Sequence, residues 1–495
     1  MTTRSTWPSI TRHRLAPLAL SIALAGCSLA PAYKVPAVPV APAYQNGSSS
    51  NAADAGNDSL WQAAQPSDRQ PRDHWWQVYH DTALDQLQQR LIANNADLAA
   101  ALAHYRQAQA FDLQSRSALF PTVSTNADGE RDRESDTKPL RGATSPADYN
   151  SFTVGAQVDY EIDLWGRVRN TVEAARDETL AANADLASAQ LSLQTQLVDN
   201  YIQLRGLDQQ IALYQQSIDA FQKALKLTQT LHDGGIVSGL DVSRAQSELS
   251  STKSLWSQSQ AQRALIQDAI AVLVGDSASS FRLAAQTDTL TLPTVPVGVP
   301  TTLLQRRPDI AAAERRVAEA NAQIGIARAA YFPSLTLSAQ GGFQSDRYPS
   351  LFTAPNHFWA IGPSLFETIF DGGKRKAGVR AAKAATDEAG AKYRGIVLNA
   401  FAQVEDNLAQ IDHIGVAKAD QKDAADAAQH SVDLATDQYK AGAVGYLDVV
   451  QAQATALDAQ RTLLSLDTNQ LRASVQLIKA LGGGWSTGDM TIGKR

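Results

Sequence analysis

From Phe152 to Leu164 every second residue is apolar: Phe152, Val154, Ala156, Val158, Tyr160, Ile162 and Leu164. The residues between them are Thr153, Gly155, Gln157, Asp159, Glu161 and Asp163. Strict period-two alternation puts one apolar and one wet face on a β-strand. Strands of soluble sandwiches usually stop at about 5–6 residues. At about 3.3 Å per residue this one reaches about 40 Å, enough to cross a tilted path through a bilayer. A helical pattern too long for an ordinary globular domain follows Trp165-Gly166-Arg167.

The N-terminus reads as an export signal. Arg4, Arg12 and Arg14 form a positive region, Leu15 to Leu24 is a short apolar stretch, and Leu24-Ala25-Gly26-Cys27 closes it. The apolar stretch is too short to anchor a membrane helix. Leu24-Ala25-Gly26-Cys27 resembles a bacterial lipobox, so residues 1–26 are expected to be cleaved and Cys27 to be lipidated. Removing three arginines and no acid leaves the mature chain more negative than the −6 of the full sequence. Net negative charge opposes a nucleic-acid partner. With Cys27 the only cysteine, the chain holds no disulfide framework despite export. A single lipid chain holds a membrane weakly, so lipidated Cys27 supplements a second anchor. The Pro-, Ala-, Gly- and Ser-rich residues from Pro31 to Asp58 suit an extended tether.

The chain is a duplication. Asn95-Ala96-Asp97-Leu98 matches Arg307-Pro308-Asp309-Ile310, and Leu119-Phe120-Pro121 matches Tyr331-Phe332-Pro333, both 212 residues on. Gly166-Arg167 matches Gly373-Lys374, Leu240-Asp241-Val242 matches Leu447-Asp448-Val449, Ala245-Gln246 matches Ala452-Gln453, and Leu273-Val274-Gly275 matches Ala480-Leu481-Gly482, all 207 residues on. Constant offsets of this kind mark an internal repeat. Each half reads helix, strand, loop, strand, long helix, tight turn, helix. This divides the chain into a signal (1–26), a tether and equatorial segment (27–80), a first repeat (81–275), a linker (276–300), a second repeat (301–482) and a tail (483–495). Strands are expected at 122–128, 152–164, 334–343 and 358–370, the last carrying Pro363, which suits only an edge or a bulge. The polar stretch 129–150 is expected to be an external loop.

No proline lies between Pro146 and Pro293 or after Pro363, which permits very long helices. They are expected at 171–231, 241–274, 376–439 and 448–481. Leu197, Leu204, Ile211, Ile218 and Leu225 form a heptad, joined by Leu207, Tyr214 and Phe221, so coiled-coil-like packing follows. Glycines at the reversals permit left-handed backbone. Asp241 and Asp448 follow those reversals, where an aspartate commonly caps a helix. Four strands cannot close, and open edges cannot face lipid, so several copies must pool strands. Two copies give eight strands and three give twelve.

Cys27-Ser28-Leu29-Ala30-Pro31-Ala32-Tyr33-Lys34-Val35-Pro36, Leu304-Gln305-Arg306-Arg307-Pro308-Asp309-Ile310, Ala313-Glu314, Asn321-Ala322-Gln323-Ile324-Gly325, Ala327-Arg328 and Phe332-Pro333-Ser334-Leu335 carry a resemblance. Asp163-Leu164-Trp165-Gly166-Arg167 and Phe370-Asp371-Gly372-Gly373-Lys374 add to it. The whole mature chain resembles the TolC/OprM family of outer-membrane efflux ducts, in its lipoprotein branch. The resemblance implies a mainly α fold with a membrane β part: a homotrimer whose twelve-stranded β-barrel continues into a twelve-helix α-barrel crossing the periplasm. It implies a passive exit duct in the outer membrane for small molecules such as drugs, toxic organics or metal ions. The implied partners are a periplasmic adaptor and an inner-membrane pump, usually of the proton-driven RND class. Type I protein secretion is the alternative cargo route, and a structural coiled-coil tether the alternative class.

The family closes its duct at the periplasmic tip. Asp448 and Asp241 match there, with Tyr439 shortly before the second reversal, as gate candidates. Three Asp448 carboxylates are expected to converge on the axis, with Tyr439 latching neighbouring helices. TolC itself carries an arginine and a second aspartate where Val444 and Gln451 stand here. The turns Gly234, Gly235, Ser238, Gly239 and Gly442, Ala443, Val444, Gly445 are the expected adaptor-docking tips. No cofactor and no metal site is expected: the eight histidines are scattered without a His-Glu-x-x-His pattern, and no catalytic motif is present. Gly372-Gly373-Lys374 lacks the first glycine of a phosphate loop, with Thr368 in its place.

Overall fold

The structure, a computed structural model, describes residues 28–41, 43–45, 61–63, 74–137, 139, 142, 146–293, 295–297 and 306–483. The signal segment, Cys27 and the tail beyond residue 483 lie outside the described residues. In chain order the strands are β1 (Trp61–Ala63), β2 (Thr122–Arg133), β3 (Asp148–Ile162), β4 (Val295–Val297), β5 (Ser334–Ser345) and β6 (His357–Phe366). The helices are α1 (Thr82–Asn94), α2 (Ala96–Ser117), α3 (Arg167–Asp233), α4 (Gly239–Leu273), α5 (Pro308–Ala329), α6 (Lys374–Lys440) and α7 (Tyr446–Ala480). The described residues form two compact units: one from 28–36, 106–181 and 313–393, the other from 37–105, 182–312 and 394–483.

The first unit holds an antiparallel sheet in the order β2-β3-β5-β6. Register places Val123, Val158, Ala339 and Ile361 in one row across all four strands. The next row, on the opposite face, is Ser124, Gln157, Gln340 and Ala360. On that wet face Asp159 accepts from Ser338 Oγ at 2.6 Å and Gln157 Nε2 at 2.8 Å. Aromatic pairs bound the apolar face at both ends. Phe152–Tyr348 (6.1 Å) and Phe343–Phe352 (5.6 Å) lie toward the strand connections, and Trp165 stacks on Phe332 at 4.5 Å by the helices. Two such girdles around an apolar band are the signature of a membrane barrel wall. β6, which carries Pro363, is an edge strand of this chain's sheet.

Strand bounds differ from the sequence reading, β3 running from 148 to 162 rather than 152 to 164. β2 runs on to Arg133 rather than ending at 128, pairing with β3 back to Asp148. β6 ends at Phe366, and Phe370 is 87% exposed beyond it. The reason for the early end of β6 is local: Asp371 accepts from the backbone N–H of Gly373 (2.9 Å) and of Arg375 (3.0 Å), starting the next helix early.

The first residues after Cys27 lie along α5. Arg328 Nη1 donates to Leu29 O at 3.0 Å, Asn321 Nδ2 to Pro31 O at 2.8 Å, and Tyr33 Oη to Glu314 O at 3.3 Å. Positions 314, 321 and 328 are two turns apart on one helix face, so a single face grips alternate residues of an extended strap. Gly325 is the keyhole: a Cβ there would stand 2.8 Å from Ala30 Cβ. Ser28 Oγ donates to Asn170 Oδ1 at 2.9 Å, ending the strap on α3. Beside it, Arg315 joins Asp177 (3.1 Å) and Glu314 (2.6 Å).

In the second unit Trp76, Leu84, Leu91, Leu197, Ile202, Leu204 and Ile270 are fully buried, and the heptad reappears as core. Each such side chain contributes roughly 1.5–3 kcal/mol over exposure. Of the heptad, Leu197, Leu204, Ile218 and Leu225 are buried, and Ile211 is half-buried.

The duplication extends to individual bonds. Asn95 Nδ2 donates to Leu273 O at 2.9 Å, and Arg307 Nη1 to Ala480 O at 3.0 Å. Thr179 Oγ1 donates to Ala108 O and Thr386 Oγ1 to Ala320 O, both at 3.1 Å. In each pair donor and acceptor move by the sequence offsets of 207 and 212. The Arg-Pro-Asp motif is thus structural: buried Arg307 holds the last turn of α7 and Gln403, with Pro308 opening α5.

Burial pushes the Asp177 carboxyl up to about 6, although Arg315 pulls the other way. Its folded-state pKa lies above that of an unfolded aspartate, so the folded chain holds the proton more tightly. The resulting stabilisation is complete below about pH 4 and lost as pH rises through 6, at most roughly 3 kcal/mol. Asp177→Asn, which cannot ionise, should therefore be relatively more stable than the parent at pH 8 than at pH 5. Thermal unfolding of both proteins across that range checks this; a pH-independent difference in Tm would refute it.

Candidate functional site

The second unit contains both helix reversals. α3 ends with Gly235 N–H on His232 O (2.8 Å) and Ile236 N–H on Leu231 O (2.8 Å). α6 ends likewise, with Gly442 N–H on Tyr439 O (3.0 Å) and Ala443 N–H on Gln438 O (2.9 Å). This paired-bond termination needs a left-handed residue, supplied by Gly235 (φ 75°) and Gly442 (φ 76°). Gly234, Ser238 and Gly239 complete the first tip; Ala443, Gly445 and the half-buried Val444 complete the second.

The two aspartates behave differently. Neither is an N-cap: Ser238 caps α4 and Gly445 caps α7, placing Asp241 and Asp448 at the third helical position. Asp241 accepts from the backbone N–H of Ser238 (3.3 Å) and from its hydroxyl (3.0 Å), and pairs with Arg244 at 3.5 Å. That is a capping box with an added cation. At the repeat-related positions stand Gly445, with no side chain, and Gln451, with no charge. Asp448 is exposed, and its carboxylate makes no hydrogen bond or ion pair among the described residues. One carboxylate is spent on its own helix and the other is free.

Tyr439 lies in the core between the two hairpins, 9% exposed, with Tyr214, Ile218, Phe221, Leu225 and Leu249. Its ring meets Tyr446 at 5.2 Å. Both phenols stand beside the fully buried Thr228 of α3, and burial raises the pKa of each. The Tyr439 ring carries the contact with Tyr446. Tyr446, not singled out in the sequence, is 3% exposed. Its signal was present: it stands seven residues after Tyr439, across the glycine turn. Tyr439's repeat mate is His232, whose Nδ1–H donates to Val237 O at 3.0 Å within the first turn. The first tip is therefore closed by its own side chains. The second is held through two tyrosines packed on the first hairpin.

Among the described residues no group of three or more His, Cys, Asp or Glu could hold a metal ion. The geometry offers a wet sheet face, an apolar sheet face and a free carboxylate at a helix reversal.

The family profile described as outer membrane efflux protein matches residues 87–276 and 299–483. The pyoverdine export outer membrane protein OpmQ of Pseudomonas aeruginosa is 33% identical over 437 residues, 87% of this chain and 91% of that one. The toluene efflux pump outer membrane protein TtgC of Pseudomonas putida is 32% identical over 478 residues, 96% of each. Among solved structures, the outer-membrane channel OprN superposes with a TM-score of 0.82 at 28% identity, covering 93% of this chain and all of that one. The open-state MtrE channel of Neisseria gonorrhoeae gives 0.78 at 26% identity, covering 92% and 98%. With two matched repeats, a sheet built for lipid on one side and water on the other, and an outer-membrane channel fold along its length, the chain belongs to the outer membrane efflux protein family.

Proposed function

We propose that this outer-membrane channel works as a homotrimer, the exit duct of a tripartite efflux system with a periplasmic adaptor and an inner-membrane pump. The observation that carries the reading is the pair of open sheet edges, β2 and β6, flanking a face as polar as Asp159, Gln157 and Gln340. Each unpaired backbone group in lipid costs several kcal/mol, so an edge of ten or more residues costs roughly tens. Copies must therefore join β6 to β2. Eight strands enclose little more than their own side chains, whereas twelve leave a water-filled bore for a polar inner face. Three copies satisfy both demands.

Cys27, lipidated, adds a second hold on the membrane, and the strap on α5 fixes where that hold begins. The tips Gly234–Gly239 and Gly442–Gly445 present the surface to which an adaptor docks. The relatives are named for pyoverdine export and toluene efflux, and small organic molecules are accordingly the cargo class for this duct.

Asp448 is the gate residue in this reading and Asp241 a structural cap. Three uncompensated carboxylates on the axis attract cations and repel one another. Planar-bilayer recordings of the purified trimer test both duct and gate. Asp448→Ala should raise single-channel conductance and lower cation preference several-fold. Gly445→Ser, which supplies the cap partner found in the first tip, should lower cation preference with all charges retained. Unchanged currents in both variants would remove Asp448 from the gate, and a monomer passing no current would remove the duct.

Asp241→Asn should leave conductance as it was and cost about 1 kcal/mol of helix-end stability. Proteolysis at the first tip would register that loss. A conductance change matching that of Asp448→Ala would show both aspartates acting on the axis.

A further inference from the structure

Residues Glu130-Arg131-Asp132-Arg133-Glu134 alternate strictly in charge sign. In composition this is loop-like, yet Glu130 to Arg133 lie in β2, paired with Ser151, Asn150, Tyr149 and Asp148. In a strand such a pattern sorts charge by face. Glu130 and Asp132 continue the wet face of Ser124, Asn126 and Asp128. Arg131 and Arg133 continue the apolar face of Val123 and Ala127.

The height of the arginines is fixed by their neighbours. Gly129 faces Phe152, whose ring meets Tyr348 in the girdle near the strand connections. Arg131 is the next residue on that face, about 7 Å along the strand. The outward face above an aromatic girdle stands at lipid headgroup level. Arg131 makes no ion pair or hydrogen bond among the described residues. Arg133 reaches only Asp148, at 3.9 Å, with the two side chains 70% and 51% exposed. Glu130 and Asp132 turn to the wet face, and on the apolar face two guanidiniums stand against the single carboxylate of Asp148, leaving net positive charge there.

We infer that Arg131 and Arg133 form a binding site for the phosphates of anionic outer-leaflet lipid headgroups, on the outside of the barrel above its apolar band. Guanidinium binds phosphate through paired N–H donors, and spacing two residues apart on one strand face lets one headgroup engage both. The site binds the barrel's outer rim to the leaflet it crosses, independently of the duct.

Native mass spectrometry of the full-length assembly in detergent tests this with purified bisphosphorylated lipid A and its phosphate-free form as probes. The parent should retain the phosphorylated lipid, and Arg131→Ser/Arg133→Ser should lower retention about tenfold or more. Arg131→Lys/Arg133→Lys should keep most of it, and bilayer conductance should be the same in all three, confirming folded channels. Equal retention by parent and serine variant would overturn the inference, as would equal binding of phosphate-free lipid A. Displacement of the lipid by millimolar inorganic phosphate would make the site one for soluble anions and overturn the lipid assignment.

Discussion

A backbone N–H or C=O group cannot be left bare in hydrocarbon, and among the described residues two strand edges of this chain have no partner strand. β2 and β6 bound a four-stranded sheet whose one face, in the row Val123, Val158, Ala339 and Ile361, suits only lipid. Burying that face in the membrane is favourable only if the edges are met at the same time. The membrane part of the protomer is therefore unsatisfied alone in a way that its helical part is not. The second unit closes a core around Trp76, Leu84, Leu197 and Ile270 within one chain.

Duplication supplies the regularity that such an assembly needs. Two halves that repeat the same bonds, Asn95 to Leu273 and Arg307 to Ala480, Thr179 to Ala108 and Thr386 to Ala320, present nearly the same helix spacing twice. In the proposed duct, copies related by rotation then meet a quasi-equivalent neighbour on each side. Where the repeats stop agreeing is informative for the same reason. His232 against Tyr439, Ser238 against Gly445, Gly239 against Tyr446 and Arg244 against Gln451 all fall at the helix reversals.

Much of this was legible in the sequence because it depends on period. Alternation exposed β3, and a seven-residue spacing exposed the packed face of α3, including Leu197, Leu204 and Leu225. Constant offsets exposed the repeat. The end of β2 was hidden because its alternation is of charge sign rather than hydropathy, and Glu130 to Arg133 read as loop by composition. The roles at the tips were half-visible: Ser238-x-x-Asp241 is a capping pattern, and Gly445-x-x-Asp448 is the same pattern without its hydroxyl. The strap could not be read at all, since Leu29 and Arg328, or Pro31 and Asn321, are about 290–300 residues apart and no local pattern links them. Asn321, Gly325 and Arg328 were visible only as motif letters whose work the structure supplies.

The contrast between the tips has an energetic consequence. Asp241 is neutralised within its own chain by Ser238 and Arg244, so its charge costs the same in one copy as in several. Asp448 has no such partner, and in a lone protomer it is simply hydrated. In the proposed duct its cost arises only when copies bring carboxylates together, where water is scarce and like charges repel. Closure at that end must then be opposed by electrostatics and held by packing, and the packing available is Tyr439 and Tyr446 against Thr228. That is a balance between a repulsion that salt weakens and an apolar contact that it leaves untouched. In the proposed duct, a reversal built this way is easier to tip than one fixed by a capping box.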